Sequence, residues 1–218
     1  MSRVTRNAAS PDDTRARIIE VAEESFRRVG YAKTTVADIA NALEMSPANV
    51  YRFFPSKAAI NDAILQRTLA EMEEIAWKCA RADEPALDRI EAIALGMLRF
   101  NHNSLMHERR VHDMVTAAFD ENWPSINKFI ERFVTLIEGV IRDGIAKGEL
   151  IAVDPGETAH VLKMTLVRFM HPVVVSQCWK EGDDPEADLR MLMRFLRRSL
   201  GNRPPAKTPA RPVQQRLL

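Results

Sequence analysis

Three polar side chains on one short segment have the chemistry needed to contact a nucleic acid. Within SPANVYRFFPSK, residues 46–57, the amide of Asn49, the phenol of Tyr51 and the guanidinium of Arg52 lie close together along the chain. An amide donates and accepts hydrogen bonds as a base edge requires, and a guanidinium pairs with guanine or with phosphate. The segment therefore indicates contact with DNA, provided that the surrounding chain holds it in place.

The same segment predicts a short helix. Ser46 is a preferred N-cap, and Pro47 fits the first helical position. Phe54 precedes Pro55, which disfavours the helical conformation at Phe54. About two turns remain between these signals, and a helix of that length is not stable alone in water. Other elements must therefore support it.

Two preceding helices are expected to supply this support. One is predicted from its cap at Ser10 to Gly30 and has an apolar face. The next, TTVADIANAL, begins at its cap Thr35, with Asp38 placed to complete a capping box. A tight connection around residues 43–45 joins it to the polar segment. The pattern is a helix-turn-helix unit, which places its second short helix in a DNA major groove.

The composition of the whole chain indicates an all-α protein. Its 218 residues carry 31 Lys and Arg against 30 Asp and Glu, so a DNA site must be a local feature. Strand signals are scarce, and helical periodicity predicts about nine helices. We expect a flexible arm at 1–10, a DNA-binding domain at 11–57 with its motif at about 34–53, a ligand-binding and dimerisation domain at 58–200, and a disordered basic Pro-rich tail at 201–218.

Three further features bear on location and helix boundaries. No apolar run reaches membrane-spanning length, so we expect no membrane partner and a cytoplasmic location. Cys79 and Cys178 lie far apart in sequence; free thiols are the default, and a single disulfide stays open. Pro172 lies inside a long apolar run and predicts a kink, or a break between two helices.

The segment from Thr14 to about Ile64 resembles the DNA-binding domain of the TetR/AcrR transcriptional regulators. The matching pattern is RARIIEVAEESFRRVGYAKTTVADIANALEMSPANVYRFFPSKAAI, marked by the glycine after the first helix, the paired Thr, the DIA triplet and the SK pair. The family usually has Gly where Glu44 stands, and a non-glycine residue in the left-handed conformation costs roughly 1 kcal/mol. The later helices agree with that family's all-helical ligand-binding domain.

This resemblance implies a sequence-specific regulator, in the first place a ligand-released repressor that acts as a homodimer on a palindromic operator in double-stranded DNA. It implies base-edge contacts from Ser46, Pro47, Ala48, Asn49 and Arg52. It implies phosphate contacts from Thr34, Thr35, Tyr51 and Lys57.

The resemblance also implies a cavity for a small-molecule effector and dimerisation through the last two helices. The residues expected to meet the effector are Met97, Phe100, Met106, Phe119, Trp123, Phe133, Met164 and Phe169. The residues expected at the dimer interface are Leu166, Met170, Val174, Leu189, Leu192, Met193 and Leu196. Methionine and aromatic residues at helical spacing are more often plain core, so this alternative stays open for each cavity residue.

Other functions fit the sequence less well. An activator of the same fold and a helical module that grips another protein through its short helix both stay open. A nonspecific DNA-packaging protein needs a more basic chain than the nine Lys and Arg against seven Asp and Glu of the first 57 residues. An enzyme is disfavoured because no glycine-rich phosphate loop, HExxH or declared carboxylate pair is present.

No metal or cofactor is expected. His102, His107 and His112 are spaced by five residues, which places successive side chains about 140° apart around a helix. They therefore share no helix face that would hold a metal ion.

Overall fold

The structure is a computed structural model that describes residues 10–105 and 124–202. In these ranges the chain forms nine α-helices, which confirms the predicted all-α class. They are α1 (Pro11–Val29), α2 (Val36–Ala42), α3 (Pro47–Phe53), α4 (Lys57–Ala80), α5 (Ala86–Leu105), α6 (Pro124–Ala146), α7 (Pro155–Met170), α8 (Pro172–Lys180) and α9 (Pro185–Leu200). Residues 106–123, nearly all of the N-terminal arm and most of the C-terminal tail lie outside the described residues.

Local sequence signals set most helix starts. Six of the nine described helices begin with proline, whose fixed φ suits the first helical position and whose missing N–H would have no partner there. Side chains of Ser10, Thr35, Ser46, Ser56 and Asp154 accept hydrogen bonds from free N–H groups of the first turn. These caps are the reason that short helices such as α2 and α3 begin where the sequence predicts.

The first three helices and the start of α4 share one hydrophobic core, here called the N-terminal core. Its members come from α1 (Ile18, Ala22, Phe26), from α2 (Val36, Ile39, Ala40), from α3 and its end (Val50, Phe54) and from α4 (Ile60, Ala63, Ile64). It therefore extends past the domain boundary expected at residue 57.

Helix α4 joins the two parts of the molecule without a break. Ile64 lies in the N-terminal core, whereas Leu69, Met72 and Ala76 of the same helix lie in a second, larger core formed by α4 to α7 and α9. An ion pair between Glu23 of α1 and Arg67 of α4 adds a surface contact near the junction. A displacement of α4 would therefore change the packing of both the N-terminal core and the larger core.

The larger domain contains the break that Pro172 predicts. Helix α7 ends at Met170, His171 has extended backbone angles (φ −80°, ψ 116°), and α8 begins at Pro172. No described helix combines the length and apolar character needed to cross a membrane.

Candidate DNA interface and effector cavity

Helix α3 has one buried face and one exposed face. Val50 and Phe54 are 0% and 3% exposed and fix the helix on the N-terminal core. The residues predicted to meet base edges are accessible: Ser46, Pro47, Ala48 and Arg52 are exposed, and Asn49 is half-buried. Tyr51, predicted to contact phosphate, is 52% exposed beside them. The structure thus brings the polar segment together on one accessible surface.

The start of α2 is held by a reciprocal capping box. The Thr35 backbone N–H donates to Asp38 Oδ2 at 2.9 Å, and the Asp38 backbone N–H donates to Thr35 Oγ1 at 3.1 Å. The Thr35 hydroxyl also donates to Asp38 Oδ2, and this bond is the main reason that the pKa of Asp38 lies below its ordinary value. Thr35 is exposed, in agreement with its expected place near a phosphate.

Two residues predicted to contact phosphate are engaged inside the domain instead. Thr34 is 2% exposed, and its hydroxyl donates to the Gly30 carbonyl at 2.9 Å. Lys57 is half-buried, and its Nζ donates to the carbonyls of Tyr31 at 2.8 Å and Thr34 at 3.0 Å. The same ammonium lies 4.4 Å from the centroid of the Tyr31 ring. Lys57 thus holds the loop between α1 and α2 against the start of α4.

One basic residue near this surface was missed in the sequence analysis. Lys33 lies in the turn before α2, is exposed, and has no ion pair or hydrogen bond in the part of the chain that the structure describes. The sequence could have indicated Lys33 by its position two residues before the Thr35 cap. A lysine beside a helix start is well placed to contact a phosphate if that helix start faces DNA.

The turn between α2 and α3 has the backbone strain that the resemblance predicts. Glu44 has φ +54°, the only positive φ at a non-glycine position among the described residues. Its backbone N–H donates to the Asn41 carbonyl at 3.1 Å, and the Met45 N–H donates to the Ala40 carbonyl at 3.0 Å. The compact turn is therefore formed without glycine.

The larger domain contains a mostly apolar cavity of about 380 Å³. This volume falls in the range of small-molecule sites, about 300–1,000 Å³. Apolar side chains of α4, α6 and α7 form most of its described wall: Leu65, Leu69, Met72, Ile126, Phe129, Ile130, Phe133, Met164, Val167 and Met170. Thr68, Asn101, Lys163, His171 and Pro172 complete the described lining.

The cavity contains two of the eight residues expected to meet the effector, Phe133 and Met164. Met97 and Phe169 are buried in the larger core and are not among the described residues that line this cavity, and Phe100 packs on that core. The other three, Met106, Phe119 and Trp123, lie outside the described residues. The sequence analysis missed the lining residues of α4. An apolar position on a helix does not reveal whether it will face a cavity or a packed core.

Most of the residues expected at a dimer interface lie inside the single chain. Leu166, Leu189, Met193 and Leu196 are between 0% and 8% exposed and belong to the larger core. Met170 and Leu192 are partly buried against that core, and only Val174 is exposed. The apolar residues exposed on α7 and α9 are instead Val161, Met164, Val167, Met191 and Phe195.

These exposed residues lie around an ion pair that links α7 to α9. Arg168, next to Val167, approaches Asp188 to 3.1 Å, and Met191 lies about one turn beyond Asp188. Phe195, a further turn on, is 63% exposed. Large apolar side chains exposed at helical spacing on neighbouring helices are typical of a surface that another molecule covers.

Family comparisons agree with this division of the chain. A sequence model described as "Bacterial regulatory proteins, tetR family" matches residues 18–64, and one described as "Tetracyclin repressor-like, C-terminal domain" matches residues 86–189. The uncharacterized HTH-type transcriptional regulator YhgD of Bacillus subtilis is 28% identical over 158 residues, which are 69% of this chain and 78% of the relative. The chain belongs to the TetR family of transcriptional regulators.

Solved structures show the same fold. A TetR/AcrR regulator from Thermobifida fusca superposes with a TM-score of 0.62 at 24% identity, over 84% of this chain and 96% of the other. A regulator from Saccharomonospora viridis in complex with choline gives a TM-score of 0.62 at 22% identity, over 88% of this chain and 100% of the other.

Proposed function

We propose that this TetR-family regulator is a repressor that binds a roughly palindromic operator as a homodimer and is released by a small molecule. The observation that carries the DNA-binding part is the exposed face of α3. Asn49 and Arg52 lie on it, and Val50 and Phe54 hold its other side on the N-terminal core. Ser46, Pro47 and Ala48 are proposed to lie near base edges with them, and Tyr51 and Thr35 near phosphates.

The exposed apolar residues of α7 and α9 support the homodimer. A two-fold dimer through Val167, Met191 and Phe195 would bury side chains that the single chain exposes. Two α3 helices related by this symmetry would contact half-sites about 35 Å apart, one turn of DNA. The operator would then have the same two-fold symmetry as the protein.

Helix α4 supports the coupling between effector and operator. Leu65, Leu69 and Met72 line the cavity, and Ile60 and Ile64 of the same continuous helix lie in the N-terminal core. A ligand that fits best when α4 is displaced would shift the dimer away from the operator-bound spacing. It can shift this equilibrium only by the difference between its affinities for the two states.

A reporter experiment tests the repressor assignment. The promoter beside a binding site for this protein is fused to a reporter, and transcription is measured with the regulator gene present and deleted. A repressor predicts higher transcription after deletion. Lower transcription after deletion would favour an activator of the same fold. A protein-binding module predicts instead that no such DNA binding site is found.

A further inference from the structure

We propose that the effector is an elongated apolar anion with a hydrogen-bond donor at the end far from its charge. The proposal rests on the proposed function in one respect, because it takes the cavity beside α4 as the effector site. It is carried by two polar groups of the cavity wall that have no partner among the described residues: the ammonium of Lys163 and the amide oxygen of Asn101.

Lys163 supplies the charge. It lies on α7, is half-buried and lines the cavity, yet no ion pair or hydrogen bond engages it within the described ranges. The described lining contains no carboxylate. An ammonium beside a mostly apolar wall gains from an anion that occupies the cavity, because the anion offers it a charge-assisted hydrogen bond.

Asn101 supplies an acceptor. Its side chain is 1% exposed, and its Nδ2 donates to the Met170 carbonyl at 2.7 Å. A carbonyl can only accept a hydrogen bond, so the NH2 group of the Asn101 amide must face Met170. The amide oxygen, Oδ1, therefore points away from the Met170 carbonyl. Oδ1 is buried and has no hydrogen-bond partner among residues 10–105 and 124–202. A buried acceptor without a partner costs about 1–3 kcal/mol, so a ligand hydroxyl or N–H here would be favoured.

The two groups meet α7 at positions about two turns apart. Asn101 is bonded at Met170, and Lys163 lies seven residues earlier on α7, a separation of roughly 10 Å along the helix axis and close to the same face. Val167 lines the wall between them, and Phe133 and Ile130 of α6 also contribute to it. The complementary molecule therefore has its anion and its donor about 10 Å apart, joined by an apolar body.

The test is calorimetric titration of the full-length protein with three probes that share one alkyl chain: decanoate, decanol and decylammonium, each kept below its micelle-forming concentration. The proteins are the wild type, Lys163→Gln and the control Lys128→Gln. Lys128 is an exposed lysine on α6 that has no described partner and does not line the cavity.

We expect decanoate to bind the wild type more tightly than decanol, and decylammonium to bind weakest. Lys163→Gln should raise the Kd of decanoate by about tenfold, the loss of one charge-assisted hydrogen bond, while Lys128→Gln leaves it unchanged. Decanol should bind all three proteins alike, which verifies that the substitution keeps the cavity intact. The ω-hydroxy derivative of decanoate should bind the wild type more tightly than decanoate does, because its hydroxyl can donate to Asn101 Oδ1.

Several results would overturn the proposal: no binding of decanoate, decylammonium binding as tightly as decanoate, or an unchanged Kd in Lys163→Gln. If the ω-hydroxy derivative bound more weakly than decanoate, the part of the proposal that places a hydrogen-bond donor at Asn101 would be wrong.

These outcomes can be told apart from a failure of the proposed function. If decanoate binds through Lys163 but leaves operator DNA occupied, the release mechanism fails and this assignment stands. If decanol releases the operator as well as decanoate does, the release mechanism stands and this assignment fails.

Discussion

The ammonium of Lys57 donates to the backbone carbonyl of Tyr31 at 2.8 Å and so joins the first residue of α4 to the loop in front of α2. The same helix continues to Leu69 and Met72, which line the cavity. The contact thus lies on a short physical route from the candidate effector site to the DNA-binding motif. The lysine of the SK pair at the end of the motif therefore has a structural role in the domain.

We predict that Lys57→Met lowers the stability of the protein. The substitution removes hydrogen bonds to the carbonyls of Tyr31 and Thr34 and leaves partly buried acceptors without a charged donor. The expected loss in free energy of unfolding is about 1–3 kcal/mol, measured by urea denaturation. In contrast, the salt dependence of DNA binding should keep its slope, because Lys57 already has its partners within the protein.

The matched control is Lys33→Met. Lys33 is exposed and unpaired within the described part of the chain, so its removal should leave stability unchanged and reduce the slope of log Kd against log salt by about 1. If Lys57→Met reduced the salt slope in the same way and left stability intact, Lys57 would be a phosphate contact after all.

Arg52→Ala should weaken DNA binding without unfolding the protein. Arg52 is exposed on α3, so we expect its loss to remove a contact to DNA and to disturb the fold little. We expect a loss of about 1–3 kcal/mol in binding to the preferred site and relaxed discrimination at one base position. Binding titrations on matched and single-mismatch duplexes measure both quantities. Lys78→Ala, at an exposed position on α4 that has no ion pair or hydrogen bond among the described residues, should change neither.

The features that the sequence predicts best are those set by neighbouring residues. Caps at Ser46 and Thr35, the helix start at Pro47 and the break at Pro172 are local, and the structure confirms each of them. The strained turn at Glu44 followed from the family resemblance and is also confirmed.

The features that the sequence predicts poorly depend on which side of a helix the fold covers. Helix α9 carries two sets of apolar residues at helical spacing: Leu189, Met193 and Leu196, and Met191 and Phe195. Only tertiary packing decides that the first set is buried. Thr34 and Lys57 have suitable chemistry for phosphate, but loop carbonyls close in space and distant in sequence engage them first. The cavity depends in the same way on the gap between packed helices.

Glu44→Gly should stabilise the protein. Glu44 has φ +54°, where a Cβ is unfavourable, and glycine adopts this conformation without that cost. We expect a gain of about 0.5–1 kcal/mol in the free energy of unfolding, after allowance for the greater entropy of glycine in the unfolded chain. Glu44→Ala removes the same charge but keeps the Cβ, so it should give no such gain. Equal stabilities for the two variants would contradict a conformational origin.

Asp143 should contribute stability that is lost in acid. Hydrogen bonds from Lys147 and Arg89 lower the pKa of Asp143 below 3.8, its ordinary value. Because the folded pKa is below the unfolded one, the contribution is complete above about pH 5 and is lost as the pH falls through the folded pKa. Asp143→Asn also leaves the Arg89 guanidinium, 6% exposed, without its carboxylate.

We therefore expect Asp143→Asn to have a lower free energy of unfolding than the wild type at pH 7. The gap between variant and wild type should narrow as the pH is lowered below 4, measured by urea denaturation across a pH series. A gap that stayed constant with pH would show that the carboxylate charge has no part in the contact.

Phe195→Glu should convert a dimer into a monomer. Phe195 is 63% exposed on α9, and a carboxylate there would be buried without a partner in the proposed interface. Sedimentation equilibrium measures the expected shift to the mass of one chain, with helical content unchanged. Trp77→Glu, at an apolar residue 45% exposed on α4 outside that surface, should leave the dimer intact. A wild-type protein that sediments as a monomer would contradict the proposed interface directly.

The most direct test of the account is selection of binding sites from a random pool of DNA duplexes, followed by footprinting of the selected sequence with wild type and Arg52→Ala. The account predicts one roughly palindromic consensus with half-sites about one helical turn apart, protected by the wild type and only weakly by the variant. Absence of any enriched sequence at low salt, from protein shown to be folded, would contradict sequence-specific recognition through α3.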